Sequence, residues 1–560
     1  MEYIIFAVFA LLIVIAFFVK GYFDYKKQEK KFIKSLYSNY GEFVEREYKP
    51  ERFINIPSYY EKHKDGFFID DITWNDLNMD EVFMQMNTSM SAAGEEYLYY
   101  MLRTPSFDKE VLEKREELIL AFCEKEEERV KCQFLFHKLG FTGKYSLYDY
   151  LDYLDKLGIR SNTKHYLALI FVLIGIVLLF VEIPLGIAML FIVFILNILS
   201  YFKTKSEIDP YITSFSYIFR LLDTVDKLCK IKMPELQTRQ DILKKASADM
   251  VKFKRGSFWL MSPGRMSASG NPLEMILDYF RMALHLDLMQ FNKMLSQVRG
   301  HIAEIDSMIT IIGEIDALIA IGAYRAYYEE VCVPVFVKEK KVKAEALYHP
   351  LIKEPVKNDI ETTGSILITG SNASGKSTFL KTVALNVILA QTVHTCMAVY
   401  FETSMFRVCS SMALRDDIEG GDSYYIVEIK ALKRIMDMVK TEGAPVLCFV
   451  DEVLRGTNTV ERIAASVQIL KSLNTKDCLC FAATHDIELT HLLEEEYHNY
   501  HFEEEVADND IFFSYKILDG RARTRNAIKL LEIMGYDKAI IETAEKMAAD
   551  FVNSGNWTKG

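Results

Sequence analysis

A nine-residue run, GSNASGKST at positions 370–378, restricts the fold of this chain more than any other segment. It follows the short β-branched run Ser365–Thr369 and precedes a segment of helical composition that begins at Phe379. The pattern G-x-x-x-x-G-K-[ST] between a strand and a helix is typical of phosphate-binding loops in α/β nucleotide-binding folds. We therefore predict an α/β domain with a parallel sheet and this P-loop at the end of one strand.

The chemistry of phosphate binding explains the residue types in this loop. Glycines let backbone N–H groups turn toward phosphate oxygens, and the N-terminus of the following helix adds its positive dipole end. The Lys376 ammonium would reach the β- and γ-phosphates of ATP, and the Ser377 hydroxyl would ligate Mg²⁺. The candidate nucleotide-binding residues are Gly370, Ser371, Asn372, Ala373, Ser374, Gly375, Lys376, Ser377 and Thr378.

An acidic pair follows a second strand. Val446–Val450 has the composition of a buried strand and ends in Asp451 and Glu452. A carboxylate at the end of a strand beside a P-loop holds Mg²⁺, so Asp451 and Ser377 are the candidate metal ligands. The next carboxylate, Glu452, can polarise the attacking water.

A third strand supplies an imidazole. Leu479–Ala483 ends in Thr484 and His485, which places the histidine where a γ-phosphate sensor belongs. The order of the three motifs predicts a Mg²⁺-dependent ATPase with Lys376, Glu452 and His485 as its catalytic residues.

These motifs resemble those of the MutS family of DNA mismatch repair ATPases. The loop has Asn372 at its third position, as in that family. Residues 451–459 are similar to its D-E-x-x-R-G-T-x-T block, and residues 483–485 to its A-T-H. The run 416–428 resembles its signature loop, whose serine is presented to the nucleotide of the partner subunit.

The resemblance implies further properties. Ser423 would act in trans, in a homodimer held by C-terminal helices at about 524–553. Upstream, residues 70–105 resemble the start of the MutS core domain. Mismatch readers of the family carry an additional N-terminal domain with a Phe-x-Glu wedge. Here Phe43-Val44-Glu45 has those letters inside a short stalk, and we interpret it as a solvated helix.

Two apolar stretches predict membrane segments. Tyr3–Val19 is uninterrupted and followed by lysines, which indicates an uncleaved anchor with a cytoplasmic C-terminal side. Tyr166–Phe202 contains one charge, Glu182, near a proline and a glycine, so we predict a hairpin of two helices with a turn at 182–186. Basic residues flank the hairpin and place both of its ends in the cytoplasm. The alternative is a buried helical hairpin inside a soluble domain.

Charge and cysteine content limit the remaining possibilities. The net charge of −12 argues against a generally basic nucleic-acid binder, although it leaves room for a local basic patch. Nine cysteines without metal-ligand spacing suggest reduced thiols in the cytosol.

The predicted organisation has four parts: an anchor (1–20), a juxtamembrane stalk (21–66), an all-α MutS-like core or lever domain (67–345) interrupted by the hairpin (166–202), and an ABC-like α/β ATPase domain (346–560). The ATPase and core domains would be cytoplasmic and the protein a multi-pass membrane protein.

Three functions fit these features. The first is an ATP-driven dimer acting on mismatched or branched DNA in repair or recombination, with DNA as a possible partner. The second is a membrane scaffold or regulatory ATPase with a protein partner. The third, an ABC transporter subunit, is disfavoured because three apolar segments are too few for a permeation pathway and the sequence has no L-S-G-G-Q motif.

Overall fold

A computed structural model gives the fold of most of the chain. Contacts divide it into two compact units. The first comprises Met1–His63, Asn87–Tyr100 and Glu117–Tyr327, and the second comprises Lys64–Met86, Met101–Glu116 and Tyr328–Gly560. The structure describes residues 2–43, 46, 48, 53–142, 146, 148–149, 151–152, 158, 160–251, 253, 284–371, 374–412, 424–454, 458–507, 510–522, 528, 531 and 535–554.

Helices make up the regular structure that is described before residue 328. They are α1 (Glu2–Ser38), α2 (Ser58–His63), α3 (Asp71–Asp76), α4 (Met79–Met86), α5 (Ala92–Arg103), α6 (Lys109–Glu124), α7 (Glu126–Leu139), α8 (Thr163–Val181), α9 (Ile183–Leu228), α10 (Gln237–Asp249), α11 (Leu286–Gly300) and α12 (Ile302–Tyr327), with a 3-10 turn at Pro234–Leu236.

Helix α12 is the central helix of the first unit, and most of its side chains are buried. A helix that is apolar on nearly every side belongs in the interior. Gly313 lets α5 approach closely, since a Cβ there would lie 2.6 Å from the carbonyl oxygen of Ala93. The carboxylate of Asp316 accepts hydrogen bonds from the backbone N–H groups of Met90 and Ser91, at 3.1 and 2.9 Å. It therefore caps the N-terminus of α5.

Helices α8 and α9 are long and apolar enough to cross a membrane. The candidate spans are Thr163–Val181 and Ile183–Ile208, with mean hydropathy of 2.4 and 2.5. The turn predicted at 182–186 is shorter in the structure, because Glu182 alone separates the helices. Pro184 lies in the first turn of α9, where N–H groups lack an intrahelical partner and proline is tolerated.

The side chains of these two helices are mostly exposed. Only 11% and 17% of the two apolar windows are buried, and Phe180 beside the turn is 87% exposed. This exposure disfavours the alternative of a hairpin buried inside a soluble domain. The predicted anchor, residues 1–20, falls in α1, of which residues 2–18 are described by their backbone alone.

Strands belong to the second unit and form two sheets. They are β1 (Val335–Phe336), β2 (Val342–Leu347), β3 (Asn358–Thr362), β4 (Ile366–Thr369), β5 (Tyr400–Thr403), β6 (Arg407–Ser411), β7 (Val446–Asp451), β8 (Cys478–Thr484), β9 (His498–Ala507) and β10 (Asp510–Asp519). The order is β10-β9-β4-β8-β7-β6 in one sheet and β1-β5-β2-β3 in the other.

The larger sheet is mixed rather than wholly parallel. Its strands from β9 to β6 are parallel, and β10 pairs antiparallel with β9 through a hairpin. In the smaller sheet, β2 is antiparallel to both β3 and β5. The predicted parallel sheet therefore has an antiparallel edge strand, β10. The same unit also contains a second sheet that is largely antiparallel. The sequence analysis predicted neither feature.

The helices of this part are α13 (Lys376–Thr392), α14 (Tyr424–Lys440), α15 (Thr459–Leu473), α16 (Ile487–Leu492) and α17 (Lys538–Ser554). In the larger sheet, Thr369 pairs with Thr484, and Asp451 pairs with Ala483. The carboxyl ends of β4, β7 and β8 therefore lie side by side, and the segments that follow them meet at one edge of the sheet.

Candidate functional site

The loop between β4 and α13 depends on two glycines with positive φ. Gly370 has φ of 150° and Gly375 has φ of 109°, a region that favours glycine. A Cβ on Gly370 would lie 2.8 Å from the Ser374 hydroxyl and 2.9 Å from the carbonyl oxygen of Phe502. Any side chain at position 370 would therefore occupy the space inside the loop. Glycine leaves this space free for a ligand.

The hydroxyl of Ser374 faces the inside of this loop. The residue is 1% exposed, and its Oγ has no hydrogen-bond partner among the residues that the structure describes. A buried hydroxyl without a partner is costly, and a bound phosphate would supply an acceptor. Together with the glycine cradle, this hydroxyl fits a polyphosphate ligand. Asn372 and Ala373 lie outside the described residues.

Lys376 begins α13 and points back into the loop. Its Nζ donates hydrogen bonds to the carbonyl oxygens of Gly370 and Ser371, both at 2.7 Å. The residue is 5% exposed, so the ammonium lies inside the loop. The next two residues, Ser377 and Thr378, are in the first turn of the helix, where backbone N–H groups and the helix dipole favour an anion.

Ser377 reaches across to the neighbouring strand β7. Its hydroxyl donates a hydrogen bond of 2.5 Å to the Asp451 carboxylate. A hydroxyl and a carboxylate are hard oxygen ligands of the kind that Mg²⁺ binds, and this ion needs few protein ligands because it keeps several waters. The described residues contain no group of three or more His, Cys, Asp or Glu side chains arranged to hold a metal. The hard oxygen donors of the Ser377–Asp451 pair fit Mg²⁺ better than a transition metal, which prefers imidazole or thiolate ligands.

Glu452 and His485 contact each other beside this hydroxyl–carboxylate pair. His485 Nε2 contacts Glu452 Oε1, and His485 Nδ1 lies 3.0 Å from the Gly370 carbonyl oxygen. A carbonyl oxygen only accepts, so this contact favours a proton on Nδ1. The contact with the carboxylate then needs a second proton between Nε2 and Glu452. The pair can therefore hold and move one proton at the mouth of the loop.

The turn after β7 holds Glu452 in an unusual backbone conformation. Glu452 and Leu454 have φ of 59° and 60°, which is rare for residues with a side chain. The Glu452 N–H donates to the Ala483 carbonyl oxygen at 2.9 Å. The Leu454 N–H donates to the buried Glu428 carboxylate at 2.5 Å. The sequence analysis mentioned Glu428 only as the end of the signature loop and gave it no role.

An ion pair between Arg462 and Asp486 orients the segment that carries His485. Arg462 contacts Asp486 through two nitrogens, at 2.6 and 3.0 Å. A bidentate pair of this kind has a defined geometry. The sequence analysis gave these two residues no role, because neither occupies a defined position of the motifs described above.

A cavity of about 370 Å³ adjoins the loop. Gly375, Thr378, Phe502, Tyr515 and His349 are among the residues that line it. Burial, together with the charge of Lys381, lowers the pKa of His349 to about 4, so this imidazole is neutral near pH 7. Small-molecule sites have this size and this mixture of aromatic and polar walls. The sequence analysis did not predict this cavity, because the residues that line it are distant from one another in the sequence.

Ser423, the residue expected to act in trans, lies outside the described residues. The structure brings together the other predicted groups, namely Ser371, Lys376, Ser377, Asp451, Glu452 and His485, at one edge of the larger sheet. Their roles stay predictions.

Comparison with known proteins gives one matching family model. Residues 366–552 match the model of MutS domain V. The chain is 30% identical to the DNA mismatch repair protein MutS of Thermus thermophilus over 244 residues, which are 42% of this chain and 29% of that protein. It is 30% identical to MutS of Pseudothermotoga lettingae over 268 residues (46% and 33%), and 28% identical to MutS of Natronomonas pharaonis over 273 residues (47% and 31%).

The similarity is confined to part of each protein. The chain spans about a third of the length of these curated relatives. The matched residues include β4, the loop, β7, β8 and the residues that follow these strands.

Proposed function

We propose that the chain is a member of the MutS family through the part that matches MutS domain V, and that it is a Mg²⁺-dependent ATPase that is tethered to a membrane and works as a homodimer. The observation that carries the proposal is the convergence of Lys376, the Ser377–Asp451 pair and the Glu452–His485 pair at one edge of the sheet. A lysine, a metal-binding oxygen pair and a general base are the groups that phosphoryl transfer to water requires.

The loop would bind the phosphates of ATP. The Lys376 ammonium would turn from the carbonyl oxygens of Gly370 and Ser371 to the β- and γ-phosphates. Ser374 Oγ would donate to a phosphate oxygen, which gives this buried hydroxyl a partner. When bound by Ser377 and Asp451, Mg²⁺ would neutralise negative charge on the phosphates.

Glu452 would orient and deprotonate the attacking water. Its carboxylate lies beside the loop, and the His485 imidazole holds one of its oxygens. In the deprotonated pair, with the imidazole neutral and its proton on Nδ1, Glu452 would take a proton from the water and share it with Nε2 of His485, because the two groups are in contact. His485 would sense the γ-phosphate directly, because its Nδ1 lies beside Gly370 at the start of the loop.

The cavity next to Gly375 would hold the adenine base. Tyr515 and Phe502 offer aromatic faces, and His349 is neutral, so the walls suit an uncharged heterocycle.

The decisive experiment compares ATP hydrolysis by the purified full-length protein with that of Glu452→Gln. Glutamine has the same shape but cannot accept a proton at neutral pH. We expect Glu452→Gln to bind ATP and to hydrolyse it at least 100-fold more slowly. Lys376→Ala should instead lose ATP binding. Wild-type turnover by Glu452→Gln would overturn the assignment of the water-activating group.

Membrane tethering rests on α8 and α9. Both helices are long and apolar enough to span a bilayer, and their side chains are mostly exposed. Arg160 and Lys164 precede the hairpin, and Lys203 and Lys205 follow it, which supports a cytoplasmic position for both ends. Together with the N-terminal anchor, the hairpin would make a multi-pass protein with cytoplasmic ATPase and core domains.

Two kinds of partner are compatible with this ATPase, namely DNA and another protein. The named activity of the relatives, DNA mismatch repair, supports mismatched or branched DNA as the substrate on which ATP acts. The net charge of −12 supports the alternative of a scaffold or regulatory ATPase with a protein partner. Binding of homoduplex and heteroduplex DNA across a salt series would separate them, because contact with phosphates gives a steep salt dependence.

A further inference from the structure

Exposed lysines form a stripe along α1 that begins directly after the apolar run Tyr3–Val19. With 3.6 residues per turn, positions 20, 27, 31 and 34 fall within about 60° of one another around the helix axis, and position 30 lies beside them. We call this set the lysine stripe: Lys20, Lys27, Lys30, Lys31 and Lys34. None of these lysines makes a salt bridge with another residue in the part of the chain that the structure describes. The functional assignment above gives the stripe no role.

The opposite face of α1 packs against α7, which fixes the direction in which the stripe points. The ring centroids of Phe32 and His137 are 4.0 Å apart, and Lys138 Nζ donates a hydrogen bond of 2.7 Å to the Glu29 carboxylate. Leu36, one turn after Phe32, is buried. By the helical period, Phe32, Glu29 and Leu36 lie on the far side of the helix from the stripe. The lysine stripe therefore faces away from α7.

Three exposed aromatic side chains lie close to the start of the stripe. Tyr22, Phe23 and Tyr25 are 60%, 66% and 54% exposed. Exposure of a phenylalanine ring to water is unfavourable, whereas aromatic side chains are enriched where a membrane-spanning helix passes the lipid headgroups. Because α1 is one continuous helix, Glu2–Ser38, these aromatics and the first lysines follow the proposed anchor without a break. The proposed anchor therefore places the start of the stripe at the level of the headgroups.

This segment is basic although the chain as a whole is acidic. Between positions 20 and 34 there are six lysines and two acidic residues, Asp24 and Glu29, whereas the net charge of the chain is −12. Glu29 is already paired with Lys26 and Lys138, so it does not neutralise the stripe. Lysines next to a membrane-spanning helix attract lipids whose headgroups carry a negative charge. The charge of the stripe is therefore complementary to an anionic leaflet.

We propose that the lysine stripe binds the headgroups of anionic phospholipids in the cytoplasmic leaflet, with Lys20 and Lys27 as its strongest contacts. The inference rests on the proposed membrane tether and adds the class of lipid that the tether prefers. A lipid is favoured over a nucleic acid because the stripe begins at the residue after the apolar run, within reach of the headgroups.

Distance along the helix decides which lysines matter most. Lys34 lies about 21 Å further along α1 than Lys20, and Lys27 lies about half as far. Attraction to a charged surface decays over a Debye length of about 8 Å at physiological ionic strength. Lys20 and Lys27 therefore contribute more to lipid binding than Lys31 and Lys34 do.

The test measures which lipid lies next to the stripe. Full-length protein carrying Phe23→Trp is reconstituted in phosphatidylcholine vesicles that contain brominated phosphatidylglycerol or brominated phosphatidylcholine, because brominated acyl chains quench a nearby tryptophan. The chain without Phe23→Trp gives the background of the three native tryptophans. We expect phosphatidylglycerol to associate at this position about threefold more strongly than phosphatidylcholine at about 0.1 M salt. The two lipids should associate equally at about 1 M salt, where the charges are screened.

Pairs of substitutions in the Phe23→Trp chain locate the charge that is responsible. Lys20→Gln with Lys27→Gln should bring the ratio of the two association constants close to one. Lys20→Arg with Lys27→Arg keeps both charges and should keep the ratio. Lys31→Gln with Lys34→Gln should leave the ratio above about two, because these lysines are further from the membrane.

Lys230 and Lys232 provide the matched control. Both are exposed, and they follow α9, whose apolar span ends at Ile208, so about 30 Å of helix separates them from the membrane. Lys230→Gln with Lys232→Gln removes the same number of charges and should leave the ratio unchanged. The melting temperature in detergent should be the same for all of these pairs, which checks that the variants are folded.

The outcomes separate this inference from the proposed function. If both lipids quench the tryptophan at position 23 equally at low salt, the lipid preference is refuted and the membrane tether stands. A preference that survives Lys20→Gln with Lys27→Gln, or that the control pair also removes, would refute the stripe as its source. Loss of duplex DNA binding in the glutamine variants, without any lipid preference, would identify a nucleic acid as the partner instead. If neither lipid quenches the tryptophan, the N-terminal anchor is overturned, and this inference with it.

Discussion

The Glu428 carboxylate accepts a hydrogen bond of 2.5 Å from the backbone N–H of Leu454, two residues after Glu452. Glu428 belongs to α14 and is 2% exposed, so this contact joins a helix to the turn that carries Glu452, the proposed water-activating residue. Both Glu452 and Leu454 have positive φ. Such a conformation costs of order 1–3 kcal/mol per residue and persists only where surrounding contacts hold it.

Removal of this support should impair chemistry more than binding. We expect Glu428→Ala to lower kcat by about 10- to 100-fold, because the turn would relax and Glu452 would lose its position, while KM for ATP changes less than threefold. Glu428→Gln keeps an acceptor and should retain most of the activity. Steady-state ATPase kinetics give both constants, and an unchanged kcat in Glu428→Ala would contradict the positioning role.

The cavity beside the loop makes a separate prediction about the base. We expect Tyr515→Ala to weaken MgATP binding by about tenfold, since it removes an aromatic wall. Tyr400→Ala, in the smaller sheet, is the control and should bind normally. Because the pKa of His349 is about 4, the imidazole stays neutral between pH 6 and 8 and should add no pH dependence to binding. Calorimetry across this pH range would detect any such dependence, and normal binding by Tyr515→Ala would exclude this cavity as the base site.

Local motifs predicted the strand and the helix on either side of the loop. The strand before the loop was expected at 365–369 and is found at Ile366–Thr369. The helix after it begins at Lys376, three residues before the expected start at Phe379, because the last residues of the motif form its first turn. The strand and the helix depend on interactions between residues that are close in sequence, so one sequence is enough to predict them.

Contacts between distant residues were not predictable in the same way. Glu504, which accepts a hydrogen bond from the Ser371 hydroxyl, lies 133 residues from it in the sequence. The segment Lys64–Met86 joins the unit that contains the sheets, where Asp76 accepts a hydrogen bond of 2.7 Å from the Ser410 hydroxyl at the end of β6. No local pattern of hydrophobic or turn residues encodes such pairings, since they arise from how strands order themselves in the sheet.

The buried Asp316 carboxylate predicts a pH dependence of stability in the first unit. Burial raises the pKa of Asp316 to about 6, whereas hydrogen bonds from Ser91 and Met90 oppose the shift. The folded chain therefore holds this proton more tightly than the unfolded chain, whose carboxyl has a pKa near 3.8. The contribution of Asp316 to the free energy of unfolding is therefore largest below about pH 4. It falls as the pH rises to about 6 and does not change at higher pH. The free energy of unfolding should decrease by roughly 3 kcal/mol over this range.

Comparison with an uncharged side chain isolates this effect. Asp316→Asn cannot ionise, so the difference in Tm between wild type and Asp316→Asn should change between pH 4 and 6 and stay level from pH 6 to 8. Thermal melts of the full-length protein at each pH provide the measurement. A difference that is constant from pH 4 to 8 would show that Asp316 has an ordinary pKa.

The hairpin predicts which side of the membrane its turn faces. Pro184 lies next to the turn between α8 and α9, and the basic residues at the other end of both helices favour the cytoplasm. A cysteine introduced at Pro184 in an otherwise cysteine-free chain should react with an impermeant thiol reagent from outside the cell only. A cysteine at the exposed residue Glu339, in the part that is proposed to be cytoplasmic, should react only after lysis. Labelling at position 184 from the cytoplasmic side alone would refute the topology.

The proposed homodimer predicts that two inactive variants restore activity when mixed. If Ser423 acts on the nucleotide bound by the partner, Ser423→Ala and Lys376→Ala should each be inactive alone. In a mixed dimer both lesions fall on one site, and the other site is intact. With random exchange of subunits, roughly a quarter of the wild-type rate should return. A mixture of Lys376→Ala with Glu452→Gln is the control, because these lesions disable one site each and no intact site remains. Equal activity in the two mixtures, or full activity of a strict monomer, would show that Ser423 does not serve the partner's site.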